Sequence, residues 1–375
     1  MSEIFKLQLS RLLYNSHYWI PITVLFLQNR GLSNFEIYIT LGIYYFTTVL
    51  FEYPTGIIGD LYSHRISTIW GYIVTGIGIL SISLSYSLIS IILSNLIISL
   101  GTALSSGSDD ALLFNKTDNF KKTYSQLQSL ILIWSVVTIS IGSILFVISP
   151  ILPFITTGIS MIIAGLIIAT IRENHQKQTI NFSNIFETAI FGIKHIYHHH
   201  NIKYLIMLLV INNIFFYSLK WLFNPIFFSI SLPVIYWGFI ISGFTILNAL
   251  GAMSISKLKN INLHLCIFLL VVSIFFIGIS KSLILVITCL AVISIIQGLT
   301  NTFFDISINN LVDNKLRSTV LSAKSFLIRL GVAPLMIFIG VSLNQSNLSF
   351  LMFGLSLSIG IFYVFLNIWK FKITI

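Results

Sequence analysis

Apolar residues in this chain come in long unbroken blocks, separated by short polar connections. The blocks lie near 9–28, 35–59, 66–86, 88–114, 124–148, 152–171, 202–230, 234–256, 261–279, 282–311, 317–343 and 347–369. Each has roughly the 20-residue length that crosses a bilayer as a helix. Inside lipid every backbone polar group needs an internal partner, which a helix supplies. The pattern predicts an all-α membrane protein of twelve transmembrane helices. The connections at 28–34, 149–152, 231–233 and 344–347 are a few residues each, whereas 172–201 is the longest polar stretch. It divides the chain into a six-helix bundle over 1–171, a linker over 172–201 and a second six-helix bundle over 202–375. Within the linker, 185–197 is expected to form an amphipathic helix on the membrane face. A loose internal echo, Gly101 before Asp109 and Asp110 against Gly298 before Asp305, fits two bundles related by duplication.

Composition removes the soluble alternative. The 375 residues are 56% hydrophobic and 9% charged, against about 25% charged in a soluble domain. The net charge of +10 does not point to nucleic acid, because Arg30 and Lys281 are the only basic residues placed in connections on the second side. That asymmetry predicts cytoplasmic termini and agrees with an even number of spans. The first block, flanked by Lys6 and Arg11, lacks a small-residue cleavage site and is expected to stay in the protein. Heavy use of Ile, Asn, Ser and Phe suggests an AT-rich bacterial gene, hence a bacterial inner membrane. Cys266 and Cys289 lie in apolar blocks and form no disulfide framework. His195 and His199 have the spacing to bind a metal on a helix. No Cys, Asp or Glu stands beside them or the neighbouring His198 and His200, and a solvated patch explains them more simply. No metal or cofactor is expected. There is no phosphate-binding glycine loop, triad or metal motif, so an enzyme is not expected. A membrane-embedded glycan or lipid transferase would need a sizeable catalytic loop.

The chemistry concentrates around residues 52–65. Glu52, Gly56 and Asp60 recur every four residues and share one helix face. Glu52 lies about 12 Å deeper than Asp60. An ionised carboxylate there costs about 2.5–3.5 kcal/mol, so it faces a cavity, pairs with a cation such as Arg11, or carries a proton. Glu52 is therefore the candidate for proton coupling. Tyr45 and Thr48 fall on the same face as cavity-lining candidates. Asn15, Asn212, Asn213, Gln297 and Asn301 add uncharged polar groups within spans. Asp305 and Arg329 are charged candidates for the cavity, Arg329 as a neutraliser of an anionic substrate or as the partner of Asp305. Lys324 is embedded too, and Lys220 lies nearer a helix end, where snorkelling explains it equally well.

Three segments resemble the major facilitator superfamily of secondary transporters. The first runs from Arg30 through Gly31-Leu32-Ser33, Glu36-Ile37, Glu52-x-Pro54-Thr55-Gly56 and Gly59-Asp60 to Arg65. The second is Ser106-Gly107-x-x-Asp110-Ala111-Leu112-Leu113-Phe114. The third is Arg317-Ser318-Thr319-Val320-Leu321-Ser322. The resemblance implies alternating access around a mid-membrane site. It also implies a gating network of Gly56, Gly59, Asp60 and Arg65 with Asp109, Asp110 and Arg317. Ser63 stands where the family's loop usually has Gly, and His64-Arg65 replace its basic pair, which leaves one fixed positive charge in the lock. The Glu-x-Pro-Thr-Gly form resembles the efflux-type branch. It implies export of a small amphiphilic compound, a drug or a peptide antibiotic such as a microcin, by a monomer whose partners are substrate, protons and lipid. Proton-coupled uptake of a nutrient is the alternative.

Overall fold

Polar punctuation starts the helices as the apolar blocks demand. Ser2, Ser63, Asn119 and Asn262 each accept a backbone N–H of the first helical turn that follows, from Phe5 (3.3 Å), Ile66 (3.1 Å), Lys122 (3.2 Å) and Leu265 (3.1 Å). Ser87 and Ser90 form a reciprocal capping box. Each such side chain answers a donor that a helix N-terminus leaves unmatched.

The computed structural model describes residues 2–61, 63–117, 119–172, 200–257, 262–312, 317–345 and 347–373. Among them are fifteen α-helices and no strand. In chain order they are α1 (Glu3–Tyr14), α2 (Thr23–Asn29), α3 (Asn34–Leu61), α4 (His64–Leu84), α5 (Leu88–Ser105), α6 (Ser108–Phe114), α7 (Phe120–Ile148) and α8 (Leu152–Ala169). They continue as α9 (His200–Trp221), α10 (Phe223–Ser229), α11 (Trp237–Ser254), α12 (Leu263–Ile279), α13 (Leu283–Leu311), α14 (Arg317–Gln345) and α15 (Leu348–Ile373). Fifteen rather than twelve arise because three blocks are broken. The block at 9–28 divides at Asn15 and a 3-10 turn over Ile20–Ile22. The block at 88–114 divides at Ser106 and Gly107, and that at 202–230 at Leu222. Among the described residues, nine helical segments are long and apolar enough to cross a membrane. The expected linker helix at 185–197 and the histidines at 195, 198 and 199 lie outside the described residues, as does the side chain of His200.

Contacts divide the chain into two units. The first comprises Met1–Ile180 with Pro233–Ser242, the second Asn181–Leu232 with Gly243–Ile375. In the first, α4 packs on both α5 and α8, while α3 packs on α5 and α1 on α8. Leu7, Tyr72, Leu112, Leu113, Leu127, Ala164 and Ile168 form a core cluster there. In the second, α12 packs on α13 and α15, and α9 on α13 and α14. Helices α11 and α13 come together backbone to backbone at Gly251 and Gly298, as small residues allow in membranes. Large apolar side chains point outward, among them Leu84, Ile284 and Phe350, each at least 70% exposed. Outward apolar surface on that scale suits lipid rather than water.

Candidate functional site

The first unit places a cation against two neighbouring carboxylates. Arg11 of α1 is 5% exposed. Its Nη2 lies 2.6 Å from Asp110 Oδ1 and 3.1 Å from Asp109 Oδ2. Its Nε and Nη1 are buried without an acceptor among the described residues. The two aspartates reach Arg11 because α6 starts afresh after α5. Gly107 adopts φ +76°, a left-handed conformation that a side chain would strain. The new helix carries Asp109 and Asp110 in its first turn, where the macrodipole favours negative charge. Tyr72 of α4 donates its hydroxyl to Asp109 Oδ2 at 3.3 Å and stacks on Tyr14 of α1, with ring centroids 3.8 Å apart. Tyr14 meets Ser105 Oγ at 3.2 Å. Tyr124 of α7 offers its ring to Arg11 at 6.0 Å. Four helices thus meet at one ionic centre.

The remaining candidates of this unit fall around it. The side chain of Glu52 is half-buried and accepts Ser106 Oγ at 3.2 Å, beside the break that makes α6. The expected use of Arg11 as a cation for Glu52 is superseded by its ion pairs to Asp109 and Asp110. Thr48 is buried, and its hydroxyl donates to the Tyr44 carbonyl at 2.7 Å. Tyr45 lies edge-on to Tyr44. Asn15 caps α1, its Nδ2 donating to the Arg11 carbonyl at 2.8 Å. No neighbouring helix comes close at Gly56: a Cβ there meets no described atom within 4 Å. The α4–α5 crossing makes such an approach instead, where a Cβ on Gly71 stands 2.6 Å from Ser105 N. Gly59 and Asp60 form the last turn of α3, and the side chain of Asp60 lies outside the described residues.

Arg65 reaches α8. Its guanidinium donates to the carbonyls of Ile168 and Ala169, where a helix C-terminus attracts a cation. A second clasp closes the same end of α8. Glu3 accepts Lys116 Nζ at 2.7 Å and the Arg172 backbone N–H at 3.1 Å, and Lys6 Nζ reaches the Thr170 carbonyl at 3.4 Å. The Lys116 hydrogen bond, followed by the Arg172 N–H, holds the Glu3 carboxyl below its ordinary value. A depressed carboxyl stabilises the fold above its unfolded-state pKa, about 4.3 for glutamate, and loses that contribution as pH falls through the folded value. The melting difference between wild type and Glu3→Gln is therefore expected to be constant at neutral pH and to vanish on acidification below about pH 4. A difference that grows on acidification contradicts this assignment.

In the second unit Asn212 and Asn213 of α9 face Thr300 and Asn301 of α13. Asn213 Nδ2 donates to Asn301 Oδ1 at 3.1 Å, and Asn212 Nδ2 to Thr300 Oγ1 at 3.0 Å. Gln297 is half-buried one turn before Asn301. The ion pair to Asp305 comes from Lys324 of α14, at 2.7 Å. Lys324 thus takes the place expected of Arg329, which is half-buried further along the same helix. Arg317 opens α14, with its side chain outside the described residues. Among the described residues, no three His, Cys, Asp or Glu side chains gather to hold a metal. Three features went unread in the sequence: the Tyr14–Tyr72 stack, the turn of α6 toward Arg11, and Lys324 as partner of Asp305. The Ser-Gly step inside an apolar block was the available signal for the second.

The fold has well-defined relatives among solved structures. The nucleoside transporter NupG superposes with a TM-score of 0.78 at 14% identity, over 98% of this chain and 97% of that one. A bacterial homolog of the human lysosomal transporter Spinster gives 0.75 at 13%, over 90% and 81%. A D-xylose–proton symporter gives 0.70 at 12%, over 95% of both chains. Identities this low establish the fold alone. No curated protein matches the chain in sequence. The family profile described as Major Facilitator Superfamily does match, over residues 8–336. The chain is thus a multi-pass membrane protein with a transporter fold, and it belongs to the Major Facilitator Superfamily.

Proposed function

We propose that this chain exports a small amphiphilic compound, a drug or a peptide antibiotic, by alternating access coupled to protons. The observation that carries the reading is ionic chemistry inside a transporter fold: Arg11 with Asp109 and Asp110, and Lys324 with Asp305. Charged groups within spans are costly and mark transport or proton pathways. The proposal takes the α1–α2, α5–α6 and α9–α10 pairs as single broken spans, giving twelve in two sixes over 1–171 and 202–375, with 172–201 as linker. Both termini are placed in the cytoplasm of a bacterium, and the protein works as a monomer in the inner membrane. Glu52 carries the proton. Gly56, Gly59, Asp60 and Arg65, with Asp109, Asp110 and Arg317, form the gate. Asn15, Tyr45 and Thr48 line the cavity from the first unit, and Asn212, Asn213, Gln297, Asn301, Asp305 and Arg329 from the second.

Deleting the gene is expected to raise cellular accumulation of the exported compound, and unchanged accumulation defeats export. In proteoliposomes, Glu52→Gln is expected to abolish substrate-driven proton flux while binding persists. Coupling that survives intact removes Glu52 from the mechanism. A second reading is proton-coupled uptake of a nutrient, since a D-xylose–proton symporter and a nucleoside transporter share the fold. The direction of transport in energised everted vesicles separates the two.

A further inference from the structure

Within the spans of the second unit, Lys220 has no counter-charge among the described residues. Lys220, in the last turn of α9, is exposed and makes no hydrogen bond or ion pair with any described residue. After residue 200 the sequence contains two acidic residues, Asp305 and Asp313. Lys324 holds Asp305 at 2.7 Å, and Asp313 lies outside the described residues. Simple snorkelling does not account for Lys220. Roughly 13 Å of mostly helical chain separates it from the end of α10 at Ser229. That is more than a lysine stem covers.

Its register points the same way. Asn213, Tyr217, Lys220 and Asn224 stand at i, i+4, i+7 and i+11, a single polar stripe along α9 that continues into α10. Asn213 and Asn224 on this stripe are 8% and 6% exposed. Through it Asn213 reaches Asn301 of α13. Asn213 and Asn224 thus turn this face toward the protein on either side of Lys220, while Tyr217 and Lys220 between them stay exposed. An embedded ammonium on such a stripe is a functional candidate, because holding it there uncompensated is costly.

We infer that Lys220 is the docking point for an anionic group, a carboxylate or a phosphate, on the compound this protein carries. The inference rests on the carrier reading above and narrows it to anionic amphiphiles. An anion supplies the missing counter-charge through a charge-assisted hydrogen bond. A cationic compound meets repulsion at the same place.

The test uses the full chain in lipid nanodiscs and matched pairs of probes: benzoate and benzamide, adenosine monophosphate and adenosine, glucose 6-phosphate and glucose, N-acetylleucine and its amide. Binding is read from the ligand-dependent shift in thermal stability. The anionic member of at least one pair is expected to bind about tenfold or more tightly than its neutral partner. Lys220→Gln is expected to erase that ratio, and Lys220→Arg to keep it. Wild-type thermal stability of the empty Lys220→Gln protein reports an intact fold. Equal behaviour of both members in every pair, absence of binding included, overturns the inference, as does an anion preference that survives in Lys220→Gln. Flux of the same probes into proteoliposomes reads the carrier proposal separately. Anion binding without flux defeats the carrier and leaves the Lys220 site standing. Flux of neutral members without anion preference does the reverse.

Discussion

Replacing Arg11 by Met is expected to cost about 3–5 kcal/mol of stability, the range for removing one partner of a buried ion pair. Arg11 is 5% exposed and serves two carboxylates at once, Asp110 at 2.6 Å and Asp109 at 3.1 Å. Met fills much the same volume, so the loss is electrostatic rather than a cavity. Asp109 is left with a Tyr72 hydroxyl at 3.3 Å, the Asp110 backbone N–H at 2.9 Å and a like charge on the next residue. Asp110 is the less affected, because its side chain is 44% exposed. Arg11→Lys is expected to recover only part of the loss, since an ammonium is more strongly hydrated than a guanidinium and costs more to hold in a buried site. The decisive variant is the triple Arg11→Met, Asp109→Asn, Asp110→Asn. With no charge left to compensate, its thermal melting in detergent should lie close to wild type and well above the single variant. A single variant that melts like wild type, or a triple no better than the single, removes the ionic centre as a stabilising element.

Gly298→Leu is expected to prevent assembly of the second unit. A Cβ on Gly298 falls on the Asn248 carbonyl oxygen and stands 2.8 Å from its carbon and 2.9 Å from Ala252 N. The obstacle is backbone, which cannot swing aside as a flexible side chain can. The approach is reciprocal: a Cβ on Gly251 falls on the Ile295 carbonyl oxygen. Helices α11 and α13 must separate at this contact and lose the dispersion contacts that hold helices together in lipid. Overpacking typically costs about 1–3 kcal/mol where side chains can repack, and more is expected here. Gly298→Ala should already lower the melting temperature, and Gly298→Leu should yield no monodisperse protein. Gly354→Ala is the control, because a Cβ there meets nothing within 4 Å. It should be neutral or stabilising by about 0.4–1 kcal/mol. Normal folding of Gly298→Leu contradicts the α11–α13 crossing described above.

Much of the architecture was readable from local patterning. The blocks at 35–59, 66–86, 124–148 and 282–311 coincide closely with α3, α4, α7 and α13, since a bilayer demands a run of apolar residues with every backbone group bonded internally. Helix starts at Ser63, Ser87 and Asn262 follow the same local logic, a polar side chain ahead of an apolar run. The breaks were harder. Asn15, Gly107 and Leu222 sit inside apolar stretches, where hydropathy averaged over a window hides a single turn.

The candidate residues were legible as types and illegible as partners. An ionic residue in an apolar block announces that it needs an answer, which is why Glu52, Asp109, Asp110, Asp305 and Arg329 stand out on inspection. Arg11 and Asp110 are separated by 99 positions, Asp305 and Lys324 by 19. No spacing rule along the chain connects such pairs. Arg11 went to Asp109 and Asp110 because one left-handed glycine redirects α6. Lys324 rather than Arg329 took Asp305 because of where α14 crosses α13.

Residue order alone pointed to the solvent, the all-helical class and the family, since these follow from length, hydropathy and short motifs that act on neighbouring residues. Which charges meet, which glycines bring helices into contact and which lysine is left unanswered emerged only from the folded chain. Those outcomes depend on distances of a few ångströms between segments remote in sequence, and both a Coulomb term and a steric clash change steeply in size over that range.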